Sequence, residues 1–244
     1  EVIRICWLVI ANIDQVPELS AEMKEYMKGE AYGLMAYRYM GMFYRYGGVP
    51  IVTKSFEASD DLTAGRATLE ETLQYILDLC DEAHAGLPAK WDAANTGRMT
   101  QGAVLAIKAR ALMFAARPLF NSATPYLDNG ELNNLICFGN EDKERWKDAI
   151  DANEAVLSWA SGNGVTLINT GGTPNANAFV DYATATSTPA NAEIILAYKR
   201  NSTDMYSNYI SYYHNCSPYW TYNRYDTDNT GVLSNHVKMY YKND

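Results

Sequence analysis

Apolar positions recur at helical spacing over much of the first two thirds of this chain and lose that rhythm after Ser161. Glu1 to Ile13 reads as the tail of a helix, and Asp14 to Leu19, with Pro17, as a turn. Ser20 to Tyr46 is a long helix in which Tyr32, Met35, Ala36, Tyr39, Met42, Phe43 and Tyr46 share a stripe, assigned here to the core; Gly47-Gly48 stops it. Val49 to Val52 is a short extended piece. Thr68 to Gly86 carries Leu69, Leu73, Ile76, Cys80, Ala83 and Leu87 on one stripe, and Thr68 with Glu71 has the spacing of a capping box. Thr100 is a suitable N-cap for a helix running to about Arg117, where Pro118 removes a donor and disfavours α geometry at the residue before it. Lys143 to about Ala160 forms a further helix, with Trp146, Ala149, Ile150, Asn153 and Val156 on one face.

The third helix is unusual in composition. Ala103, Ala106, Ala109, Ala111, Ala115 and Ala116 leave little bulk on any side, so its neighbours can approach closely. Thr68 and Thr100 both start helices, at a separation close to the period of tetratricopeptide-like repeats. The pattern predicts a mainly α fold: a tetratricopeptide-like helical-repeat scaffold with irregular, aromatic-rich loops and a few short strands. Residues 1–160 form the scaffold. Residues 161–244 form a loop-rich region, with one helical turn near Ala178 to Ala183 and a strand at Glu193 to Lys199.

Composition narrows the function. The net charge of −9 argues against a nucleic-acid surface, which needs clustered Lys and Arg. Cys6, Cys80, Cys137 and Cys216 are widely spaced and suggest neither a zinc site nor a disulfide framework; Cys80 falls at an apolar helical position and reads as core. No cofactor motif is present. His84, His214 and His236 are the only histidines, and acidic pairs such as Asp81-Glu82 and Glu141-Asp142 fall on helices or helix starts, so no catalytic residue is assigned. Asp226-Thr227-Asp228 opens like a calcium loop, but Val237 stands where that loop needs an acid; Asp226 and Asp228 remain weak metal candidates beside their reading as turn residues.

Tyrosine stands out, with nineteen against six Phe. Tyr206 to Tyr225 gathers eight aromatics with Asn, Arg and Asp between them. Sugars present apolar C–H faces and hydroxyl rims, which flat aromatics and polar side chains match in turn. Trp220, Tyr219, Tyr222, Asn223, Arg224, Tyr206 and Tyr209 are therefore the expected ligand-binding residues, with Trp220 foremost. The alternative is that these rings pack the loop onto the helices.

Several phrases, in order, resemble the SusD/RagB-like family of outer-membrane nutrient-binding lipoproteins of Bacteroidetes. They are Lys28-Gly29-Glu30-Ala31, Tyr44-Arg45-Tyr46-Gly47-Gly48-Val49-Pro50, Arg66-Ala67-Thr68, Gly86-Leu87-Pro88, Gly97-Arg98 with Thr100, the alanine helix, and Pro118-Leu119-Phe120-Asn121. Asn191 to Ala197 resembles the family's Asn-x-Glu-Ile-Ile strand. Leu233 to Asp244 resembles a later segment, with Asn235-His236 where an acid is expected. The resemblance implies non-catalytic capture of oligosaccharides at the cell surface and delivery to a SusC-like TonB-dependent transporter. It implies membrane attachment through an N-terminal lipid anchor not present in this chain, since Ile3-Arg4-Ile5 before Cys6 does not fit a lipidation site. It also implies that the chain is an internal piece of a longer protein, and that aromatics after the helical repeats touch the glycan. Two other readings stay open: a helical-repeat adaptor that binds only proteins, and a carbohydrate-active enzyme. The nature of the glycan, or of a peptide cargo, is not specified by these residues.

Overall fold

The structure, a computed structural model, describes residues 1–57, 59–60, 63–173, 176–188 and 191–197. The described residues are mainly helical: α1 (Val2–Asn12), α2 (Ala21–Tyr46), α3 (Leu69–Gly86), α4 (Gln101–Ala116), α5 (Glu144–Asn163) and α6 (Ala178–Ser187), with 3-10 turns at Ile13–Gln15, Ala93–Asn95 and Gly130–Leu135.

Three of the described helix starts, those of α2, α3 and α4, are capped by side chains. Ser20 Oγ accepts from the Met23 amide at 3.1 Å, and Thr100 Oγ1 from the Ala103 amide at 3.4 Å. At α3 the capping box is complete: the Glu71 amide donates to Thr68 Oγ1 at 3.1 Å, and the Thr68 amide donates to the Glu71 carboxylate at 2.8 Å. These bonds favour the ionised carboxylate and hold Glu71 below its ordinary value. Arg117 is extended, as a residue before proline must be, and α4 ends there.

Each of the first five helices lies against the one before it, and the contacts show antiparallel pairs. Gly29, near the start of α2, touches Gly86 at the end of α3, while Val49, just past the end of α2, donates to Thr72 in the first turn of α3. Lys108 of α4 pairs with Asp81 of α3, and Gln101 bonds the His84 carbonyl. Gly102 opens α4 against Trp159 near the end of α5. The core between α2, α3 and α4 holds Met35, Ala36, Tyr39, Phe43, Ile76, Cys80, Ala83, Val104 and Ala111, all nearly free of solvent. Burial pushes the Cys80 thiol up to about 12, which suits a residue that acts as a small hydrophobe. Cys6 is also buried in this core.

Four expectations change. Tyr46 is 62% exposed and belongs to the surface. On α5, Trp146 and Ile150 are 44% and 55% exposed and only Ala149 is buried. Among the described elements α5 packs chiefly on α4, so one narrow stripe suffices. No strand occurs among the described residues. Val49 to Val52 is held instead by side chains: the Val52 carbonyl accepts from Trp7 Nε1 at 2.9 Å and Tyr75 Oη at 3.0 Å, and the Val52 amide donates to Tyr39 Oη at 2.9 Å. At Asn191 to Ala197 the backbone makes one link to another segment, Thr166 N–H to the Ala192 carbonyl, and a local turn bond from Ile194 N–H to the Asn191 carbonyl, so no ladder builds. The Asn191 amide group donates to the Ala185 and Thr188 carbonyls and closes the end of α6, and Glu193 accepts from the Ile168 amide. Residues 198–199 of the expected strand lie outside the described residues. Finally, the expected single turn near Ala178 to Ala183 is a ten-residue helix, α6.

Ala103, Ala109, Ala111, Ala115 and Ala116 are buried, whereas Ala106 is half-buried. Ala109→Leu should therefore cost about 1–3 kcal/mol through overpacking, and Ala106→Leu clearly less. Denaturant midpoints of the two variants against the parent test this; equal midpoints for Ala109→Leu and the parent would refute close packing at α4.

Candidate functional site

The phrases that carry the family resemblance turn out to be joints between helices. Glu30 on α2 and Arg98 before α4 form a two-pronged pair, Nε to Oε1 at 2.9 Å and Nη2 to Oε2 at 2.5 Å. Arg98 also donates to Asn95 Oδ1 at 3.1 Å, and its guanidinium lies 4.2 Å from the centre of the Trp91 ring. Trp91 in turn donates to the Met99 carbonyl at 2.7 Å and meets Tyr26 edge to face at 5.0 Å. The Glu30 carboxylate raises the pKa of Arg98 further above its already high ordinary value, so the guanidinium stays charged. A two-pronged ion pair under a stacked indole fixes the 91–100 connection against α2.

The second joint lies at the other end of α2. Gly47 has φ +72°, and a Cβ there would sit 2.0 Å from the Leu135 carbonyl oxygen; at Gly48 it would sit 2.1 Å from the Ala67 carbonyl oxygen. Only glycine lets the chain pass between these two carbonyls. Arg66 then donates to the Gly48 carbonyl at 2.7 Å and the Tyr46 carbonyl at 2.5 Å, taking up acceptors left free at the helix end. The third joint is Asn121, which is buried. Its amide donates to the Asp142 carbonyl at 2.8 Å, and its oxygen accepts from the Asp142 amide at 2.8 Å and Arg145 Nη1 at 2.7 Å. It ties the end of α4 to the start of α5, while neighbouring Phe120 sits edge to face with Phe43, Phe114 and Phe138.

With those polar groups committed to structure, two open grooves remain on the described helices. One groove, of about 410 Å³, lies between α3, α4 and α5, with Leu77, Leu105 and Leu112 inside and Lys108, Asp148 and Asp151 at its rim. Another, of about 520 Å³, runs between the first turn of α1 and the second half of α2, where Tyr37, Arg38, Tyr44, Arg45 and Tyr46 line it around Gly41. Sequence reasoning missed this second groove: it assigned Met42 and Tyr46 to the core and singled out neither Tyr37 nor Tyr44. Arg38 and Arg45, seven residues apart on the same helix, were the available signal. Trp220, Tyr219, Tyr222, Asn223, Arg224, Tyr206 and Tyr209, and Asp226 and Asp228, lie outside the described residues. Among the described residues no cluster of His, Cys, Asp and Glu suits a metal, and no helix is long and apolar enough to cross a membrane.

Breaking the Glu30–Arg98 pair leaves a charge in a half-buried site. Glu30→Ala or Arg98→Ala alone should each cost about 1–3 kcal/mol, and the double substitution much less than their sum. Chemical denaturation of the three variants measures this; strict additivity would show that the pair is not coupled.

Comparison with known proteins places this geometry. Residues 3–113 match the family model SusD-like_3, described as starch-binding associating with outer membrane. SusD-like protein P38 of Formosa agariphila is 31% identical over 103 residues, which is 42% of this chain and 20% of that protein. The crystal structure of a SusD-like protein from Bacteroides fragilis NCTC 9343 is 25% identical with a TM-score of 0.63, over 84% of this chain and 33% of that one. A structure determined with a xylogluco-oligosaccharide shares the fold at 22% identity and a TM-score of 0.51, over 68% of this chain and 29% of that one. In each case the match spans a third or less of the relative's length. Sequence over residues 3–113 and fold over the described helices point the same way: over that stretch the chain is similar to SusD-like proteins.

Proposed function

We propose that the protein captures oligosaccharides at the outer-membrane surface, without chemistry of its own, and delivers them to a SusC-like TonB-dependent transporter. The observation that carries this reading is the family match over residues 3–113, whose description joins starch binding to outer-membrane association. The similar fold determined with a xylogluco-oligosaccharide supports a sugar as the ligand class. In this reading residues 1–160 are the scaffold, residues 161–244 supply the ligand face, and the full-length protein is held at the membrane by an N-terminal lipid. The three joints described above fit a non-catalytic role, since Glu30, Arg98, Arg66, Asn121 and Arg145 each have a structural partner.

Trp220 is the leading contact, by its place among Tyr219, Tyr222, Asn223 and Arg224. An indole can cover one face of a pyranose ring while the neighbouring amide and guanidinium reach its hydroxyls. Trp220→Ala should lower oligosaccharide affinity at least tenfold, corresponding to a truncation cost of about 2 kcal/mol. Calorimetry on full-length protein measures it, with circular dichroism as the control for folding. Unchanged affinity, or a loss that only tracks unfolding, would move the ligand face elsewhere.

A further inference from the structure

Helix α2 contains three glycines, and two have a packing reason. A Cβ on Gly29 would meet the Gly86 backbone at 2.9 Å, and one on Gly33 would meet Met99 Sδ at 2.1 Å. Gly41 has none. A Cβ there would touch only the tip of Arg45, at an ordinary 3.6 Å, and its φ is not positive. Alanine would fit and would favour the helix, so neither the fold nor the backbone asks for glycine at this position. A bare stretch of backbone on an outward helix face is what a closely approaching ligand requires.

The surroundings indicate which ligand. Gly41 is the floor of the groove between α1 and α2. Tyr37, 45% exposed, stands one turn before it, and Tyr44 one turn after. Tyr46, 62% exposed, closes the end. Arg38 forms no hydrogen bond or ion pair with any described residue. Arg45 donates to the Gly41 carbonyl at 2.8 Å and lies 4.7 Å from the centre of the Tyr44 ring, again without a carboxylate partner. Two guanidinium groups without a carboxylate partner thus stand beside one groove in a chain of net charge −9. Glu1, from α1, is the acidic residue of the lining.

We infer that the Gly41 face of α2 is a second saccharide-binding surface, selective for acidic sugars. A uronate ring lies over Gly41 against the Tyr37 and Tyr44 rings, and its carboxylate is held by Arg38 and Arg45, whose planar donors suit a carboxylate. The inference shares a ligand class with the function proposed above but none of its residues.

The test uses the full-length protein and two probes, an oligogalacturonate and a neutral xylogluco-oligosaccharide, titrated by calorimetry at low salt. Gly41→Leu fills the floor and Arg38→Ala removes a cation. Each should weaken oligogalacturonate binding at least tenfold, and added salt should weaken binding to the parent. The thermal midpoint of Gly41→Leu should equal or exceed the parent's, which separates lost binding from lost folding. The inference is overturned if the parent does not bind oligogalacturonate, or if Gly41→Leu binds it as well as the parent does. It is also overturned if Trp220→Ala abolishes binding of both probes while Gly41→Leu affects neither; that result would leave the Trp220 reading intact.

Discussion

The described fold depends on how closely other segments can approach the two ends of α2. Near its start, Gly29 rests on the backbone of Gly86, at a distance that excludes any side chain. Just beyond its end, Gly47 and Gly48 pass between the Leu135 and Ala67 carbonyls, and Arg66 binds the carbonyls left free there. With both ends fixed, α3 must run antiparallel to α2 with Tyr39 facing Tyr75, and the core side chains of both helices meet in one register. The contact is short-range and steric, so it tolerates no compromise: a methyl group at Gly29 or Gly48 needs the backbone to move.

The same constraint explains why the most recognisable phrases of this sequence say little directly about ligands. Gly-Glu-Ala, Arg-Tyr-Gly-Gly-Val-Pro, Gly-Arg and Pro-Leu-Phe-Asn are the glycines, ion-pair partners and amide that join helices. They identify the scaffold because the scaffold is what needs them. The ligand contacts proposed above use residues the joints leave free: in the described part, the outward rings and guanidinium groups of α2. The Tyr-rich segment around Trp220 lies beyond the described residues.

Much of this architecture was legible in the sequence. The helix starts followed from Ser20, Thr68 with Glu71, and Thr100, and the end of α4 from Pro118, because capping and proline stops are local effects that neighbours in sequence decide. The core face of α3 was legible from its apolar period, since one helix with one buried stripe writes its environment into its own spacing. Likewise the alanine content of α4 foretold a helix that neighbours approach closely.

What the sequence could not decide was set by which surfaces meet. Periodicity marked Trp146 and Ile150 of α5 and Tyr46 of α2 as inward-facing, yet all three are exposed, because burial depends on whether a second element arrives to cover a face. Extended-looking residues at Val49 to Val52 and Glu193 to Ala197 formed no strand, because a strand needs a partner backbone and here side chains took that place. The sequence by itself determined the principal helices and the caps at Ser20, Thr68 and Thr100. Only the tertiary structure distinguished the glycines required by packing from Gly41, which packing leaves open, because that difference lies in contacts between segments far apart in the chain.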